Sequence, residues 1–238
     1  MISTSFLSPS SYDEETIVTQ MTTIYILLHR LGYYNPPGDD YPYGEVIFPP
    51  AGGHAINEKL CHELHIAVEV VSLMKKIPYT FRGTNKPFLL QSRPFEYFFD
   101  EEIRGGRDPE KAPVSIGDED LRLDFLKPWE VALTSWMHAD DGTSESGEEG
   151  FDFRKDCKAH HAPTYLQGLI DDIRNLETVY LPTQGDYGYI IPAGEPEQIQ
   201  VKRVLIEDYG WETEFREEDW RREGEAVCNR ISDEQMNT

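Results

Sequence analysis

The stretch from Gly53 to Tyr79, GHAINEKLCHELHIAVEVVSLMKKIPY, is the most strongly patterned part of the chain. Asn57 suits an N-cap, because a short polar side chain can accept from the free amides of a first helical turn. Glu58 follows at the positive end of the helix dipole, and Lys75 and Lys76 lie at the negative end. Pro78 disfavours helical geometry at Ile77 and ends the element. The spacing therefore predicts one helix from Glu58 to Lys76. At about 100° per residue, Leu60, Leu64, Ala67, Val71 and Met74 share one face, and Ile66, Val70 and Leu73 a second. Glu58, His62, His65, Glu69, Ser72 and Lys76 fall on one narrow polar stripe. A helix apolar nearly all round is buried on several sides, so its second half is expected to run through the core.

Upstream, Ser11 and Glu14 have the spacing of a capping box, and Ile17, Met21, Ile24, Leu27, Leu28 and Leu31 recur at helical intervals. A helix over Tyr12–Leu31 is expected, with Gly32 in the left-handed position after it. Its apolar stripe is expected to pack on the central helix. Tyr33–Ile56 is a loop rich in Tyr, Pro and Gly, with an edge strand within Gly44–Phe48. Downstream, Tyr79–Arg82 and Phe88–Gln91 read as a hairpin. Phe95, Tyr97, Phe98 and Phe99 read as core, and Arg104–Pro113 as a polar loop. Leu121, Leu123 and Phe125 alternate as a half-buried strand. Residues 129–137 are ambiguous between strand and helix; alternation favours a strand, returning through Phe151–Phe153. Helices are expected from Pro163, from Pro196 to Gly210, and from Phe215 to Cys228, with short extended segments at Val179–Leu181 and Tyr187–Ile191.

Strands in the middle and helices on both sides favour the α+β class. The expectation is a single domain, with several helices packed around a central buried helix and a small, mainly antiparallel sheet. Residues 1–11 are expected to be disordered, 12–229 globular with an acidic disordered loop at 139–150, and 230–238 loose.

The 238 residues include 44 acidic and 22 basic side chains, a formal charge of -22. Such a chain is repelled by nucleic-acid backbones and anionic membranes, which excludes both as expected partners. A protein partner with a basic surface is compatible with it. No run approaches the roughly 18 apolar residues of a membrane span. Three cysteines, Cys61, Cys157 and Cys228, read as reduced thiols, which points to the cytoplasm or nucleus.

The phosphate-cradling loops, the nucleophile elbow and the kinase signatures are missing from the sequence. No catalytic residue, metal ligand set or cofactor is assigned. His54, His62, His65 and Tyr79 are the candidate ligand-binding residues, where the Tyr-rich loop meets the polar stripe. Histidine suits acid–base work there because its reference pKa is near neutral. Cys157, His160 and His161 are the side chains elsewhere that could add metal ligands. A solvated stripe of Glu–His pairs is the plainer reading. Cys61 borders the apolar face, where burial makes a thiol inert.

The order of N-terminal helix, Pro49-Pro50-Ala51-Gly52-Gly53-His54-Ala55-Ile56-Asn57 and Ser72–Tyr79 resembles a group of uncharacterised proteins from filamentous fungi. Gly210-Trp211 followed by Phe215-Arg216-Glu217-Glu218 is similar to the C-terminal part of that group. The likeness covers about half the chain in short pieces and implies no activity, only a stand-alone intracellular fungal protein. The general plan also resembles the interaction domains of fungal cell-wall-assembly regulators, without a defining motif of that family. Two functions remain. The first is a non-enzymatic interaction module with an acidic surface. The alternative is a small-ligand or metal-binding enzyme using the His62/His65 stripe.

Overall fold

A computed structural model of the chain describes residues 13–37, 44–81, 86, 97–107, 121–127, 130–135, 159–182 and 188–236; at 105–107, 121–127, 130–135, 159–160 and 236 it describes the backbone alone. The expected terminal disorder of 1–11, the acidic loop 139–150, the strand at Phe88–Gln91 and the return strand at Phe151–Phe153 lie outside the described residues.

The organising element is the first helix, α1 (Glu14–Arg30). Ile17, Ile24 and Leu28 are fully buried on its inner face, joined by Met21, Tyr25 and Leu27. Its cap is Asp13, not Ser11. The Asp13 carboxylate accepts from the Thr16 amide at 3.0 Å and from the Thr16 hydroxyl at 2.6 Å. One charged acceptor thus satisfies two donors, and Glu14 and Glu15 add negative charge at the same helix end. Gly32 takes φ 74° as expected, and the Tyr33 amide reaches back to Leu28 O at 3.0 Å.

The helix expected over 57–76 is two helices. Asn57 does cap α2 (Glu58–Glu63), accepting from the Leu60 amide at 3.0 Å. The chain then turns at His65, which has φ 55°, and resumes as α3 (Val68–Lys76). The Ile66 amide donates to Cys61 O and the His65 amide to His62 O, the paired bonds that close a left-handed helix end. The consequence is a different burial. Only Leu73 and Met74 of α3 are buried; Val70 and Val71 are half-buried and Val68 is 73 % exposed. The break lets Ile66 fold back over Leu60 and Cys61, beside Met74 and Ile103, in a small second core.

Ile77 is extended before Pro78, as the proline requires. The chain enters β2 (Tyr79–Thr80), which pairs antiparallel with β1 (Val46–Ile47), placing Val46 opposite Thr80. The strand expected within Gly44–Phe48 is present but short. Arg104–Arg107, expected as loop, belongs to α4 (Asp100–Arg107). Three acidic residues in its first turn favour the helix dipole, and burial of Ile103 outweighs the weak propensity of Gly105-Gly106.

A three-stranded antiparallel sheet follows: β3 (Leu121–Lys127), β4 (Glu130–Ser135) and β5 (Ala159–His161), with β4 in the centre. Residues 130–135 are therefore strand, and β4 is flanked by β3 and β5 on its two edges. Pro163 sits in the first turn of α5 (Ala162–Arg174). α5 is the main neighbour of α1, a place expected for the 57–76 helix, because Leu166, Ile170 and Ile173 form its uninterrupted apolar face. β6 (Val179–Leu181) pairs antiparallel with β7 (Tyr189–Ile191).

α6 (Pro196–Glu207) leads to Gly210 at φ 71°, and Trp211 packs back, donating its indole N–H to Arg174 O at 2.8 Å. The last helix, α7 (Glu217–Met236), runs through the stretch expected to be loose. Ile231 is buried and the Ser232 hydroxyl donates to the Glu197 carboxylate of α6, so the added turns are packed. Trp220 is fully buried and donates to Leu31 O at 2.9 Å, locking α7 onto the end of α1. The fold is α+β: helices around a central buried helix, with small antiparallel sheets. Among the described residues, no helix is long and apolar enough to cross a membrane.

Candidate functional site

The end of α3 decides what His54 and Tyr79 do. A helix leaves its last carbonyls without partners, and Pro78 has no N–H to donate to Met74 O four residues earlier. The Tyr79 hydroxyl donates to that carbonyl instead. The His54 amide donates to Lys75 O at 2.8 Å, and His54 Nε2 lies 3.0 Å from Ile77 O. That contact places the ring proton on Nε2, since a carbonyl only accepts. The His54 ring packs edge-on to Phe98 at 4.8 Å and tilted to Tyr79 at 5.1 Å. Both residues are buried. Burial lowers the His54 pKa, partly opposed by its bond to Ile77 O, and raises the Tyr79 pKa well above its usual value.

His62 and His65 lie on the other side of the helix break, both exposed. Their stripe is interrupted, because His65 has left helical geometry. The structure thus brings His54 and Tyr79 together inside and leaves His62 and His65 outside. His161 is exposed, with Nδ1 2.9 Å from the Thr164 hydroxyl. Cys157 lies outside the described residues, and the His160 side chain is not described. Among the described residues, no group of three or more His, Cys, Asp or Glu side chains is placed to hold a metal ion. Burial raises the Cys61 pKa, and pushes the Cys228 thiol up to about 12.

The site that the sequence did not reveal is a buried ion pair. Lys86 Nζ lies 2.9 Å from Glu45 Oε2, with both side chains at most 1 % exposed. Glu45 Oε2 also accepts from the Asn35 amide at 2.6 Å. The backbone of Glu45 joins Asn35 O and the Phe81 amide, so one residue ties the Tyr-rich loop to the end of β2. Among the described residues, Glu45 Oε1 and the Tyr34 hydroxyl are buried without a hydrogen-bond partner. Tyr34 packs on Tyr33 at 5.0 Å and Tyr25 at 5.8 Å, and burial holds its pKa far above the ordinary value. A glutamate between Tyr43-Gly44 and Val46 and a lysine after Thr84-Asn85 give no periodic signal, since their pairing depends on the meeting of two loops.

Outside this core runs an open groove of about 540 Å³. Pro49–Gly53 form one wall and α3 the other, with Val18 of α1, Val68 and Val71 supplying apolar surface. Gly53 holds φ 79°, and a Cβ there would stand 2.9 Å from Lys75 O, so the wall requires glycine at that position. Lys75 pairs with Glu58 at 2.7 Å, and Lys76 with Glu14, so the cations at the rim are neutralised.

Comparison with known proteins finds no matching family model, no matching curated protein and no matching solved structure.

Proposed function

We propose that this chain is a non-enzymatic, cytoplasmic or nuclear interaction module that binds a protein with a basic surface. The observation that carries the reading is the formal charge of -22, with acidic residues outnumbering basic two to one. Long exposed helices display that excess. Asp171 and Asp172 on α5, Glu207 and Asp208 at the end of α6, and Glu212 and Glu214 after it are all exposed. Such a field speeds encounter with a basic partner and disfavours acidic ones. The rival reading is an enzyme at the histidine stripe; the interaction module is preferred because His54 and Tyr79 satisfy α3 carbonyls and His62 and His65 face solvent.

The test is purification of the tagged chain from its native cells at low and high salt, with mass spectrometry for proteins and elemental analysis for metals. A stoichiometric basic partner lost as salt rises is expected, because exposed charges are screened beyond about 8 Å at physiological ionic strength. A salt-insensitive partner, or about one equivalent of metal with no protein partner, overturns the proposal.

A further inference from the structure

We propose that His29 and Arg221 form an acid-sensitive latch, which holds the first turns of α7 against the end of α1 and releases them when the His29 ring gains a proton. Arg221 Nη2 lies 2.8 Å from His29 Nδ1. A guanidinium only donates, so Nδ1 is the unprotonated nitrogen and the ring proton sits on Nε2. The same Nη2 donates to the His29 carbonyl, in the last turn of α1. The neighbouring Trp220 donates its indole N–H to Leu31 O at 2.9 Å. Two adjacent side chains of α7 thus clamp one helix end.

Protonation removes the acceptor. An imidazolium donates at both nitrogens, so the Arg221 contact becomes one between two cations. Among the described residues, the charged groups acting on the ring are Arg221 and Glu217, both on α7. Glu217 opposes the repulsion, but its carboxylate is already shared, accepting from Arg221 at 3.1 Å and lying 3.8 Å from Arg30. It is also 34 % exposed, so solvent screens its attraction. Burial and then Arg221 lower the His29 pKa, against a smaller effect of Glu217. The closed joint is therefore favoured above the ordinary histidine pKa of about 6.5, and that preference is lost as pH falls through the lowered value. The Arg221 side chain is only 20 % exposed, and outward movement of the first turns of α7 gives it to water. At the far end of α7, Ile231 is buried and Ser232 donates to Glu197, so that end stays bound and the opening is local.

Nitrogen-15 NMR and hydrogen exchange of the intact chain test this. At neutral pH the His29 ring is expected to be the Nε2–H tautomer; the Nδ1–H tautomer overturns the proposal. The opening constant of the Trp220 indole N–H, corrected for intrinsic exchange, is expected to rise as pH falls from about 7.5 to about 5, across the ordinary histidine range. The rise should be on the order of tenfold, as for one lost hydrogen bond to a charged group. The Ile24 amide, in the middle of α1, is expected to keep its protection. His29→Gln keeps an acceptor and cannot titrate, so the Trp220 rise should vanish, whereas any loosening through His54 persists in this variant. A rise unchanged by His29→Gln, or an equal rise at Ile24, overturns the latch. The latch does not rest on the basic partner, whose absence at low salt would bear on the interaction module alone.

Discussion

Among the described residues, several helix ends turn through a left-handed residue, and at two of them, His65 and Leu176, that residue is not glycine. Gly32 closes α1, His65 closes α2 and Leu176 closes α5. At Leu176 the Glu177 amide returns to Asp172 O and the Leu176 amide to Ile173 O, the same pair of bonds seen at His65. A left-handed L-residue costs about 1–2 kcal/mol. Burial of a leucine side chain contributes about 1.5–3 kcal/mol, and Leu176 is fully buried, so burial offsets the strain. His65 is exposed and gains nothing from its own side chain; the burial belongs to Ile66 beside it. Substitution by glycine should therefore act with opposite sign at the two positions. His65→Gly is expected to stabilise by about 0.5–1 kcal/mol, and Leu176→Gly to destabilise by about 2 kcal/mol or more, both read from urea midpoints. The Glu45–Lys86 pair gives a second test. Lys86→Met leaves a buried carboxylate uncompensated and is expected to cost about 3–5 kcal/mol. Adding Glu45→Gln should recover part of that loss, and a double-mutant cycle measures how much.

Between elements, the joint of α1 and α7 is the most specific. Arg221 of α7 donates to His29 Nδ1 at 2.8 Å and to the His29 carbonyl, while Glu217 holds Arg221 at 3.1 Å and lies 3.8 Å from Arg30. Desolvation lowers the His29 pKa, and Arg221 lowers it further, against a smaller opposing effect of Glu217. A folded-state pKa below the unfolded value means that the unfolded chain binds more protons in between. The contribution is then fully present above the unfolded pKa of about 6.5 and is lost as pH falls through the folded value. Guanidinium midpoints at pH 7.5 and below pH 6 should show this decline, and His29→Gln should reduce it. His54, lowered chiefly by burial, supplies a decline of the same sign that remains in the variant. A decline unchanged by His29→Gln would remove the joint from this account.

Across the whole molecule, the charge of -22 acts as self-repulsion that opposes compaction. Raising ionic strength from about 0.01 M to about 0.15 M shortens the Debye length from about 30 Å to about 8 Å. The melting temperature is expected to rise over that interval, by about 2–4 °C for each kcal/mol of repulsion relieved in a chain of this size. A fall would mean that local pairs such as Lys75–Glu58 and Arg221–Glu217 outweigh the general repulsion. Much of the architecture was legible in the chain itself: the α+β class, α1 with Gly32 behind it, Asn57 as a cap, Pro78 as a stop, and the strand at 130–135. Each rests on a signal carried by neighbours a few residues apart, where periodicity and capping chemistry act. The break at His65, the promotion of α1 to the centre, the packed end of α7 and the Glu45–Lys86 pair were decided by the tertiary structure. In each, a local preference was outweighed by burial or pairing between segments far apart in sequence, which no local pattern records. The candidate site divides the same way. His54 and Tyr79 were named from the sequence as residues flanking opposite ends of the expected helix. Their commitment to its carbonyls followed only when residues 53–54 were brought back against residues 74–77.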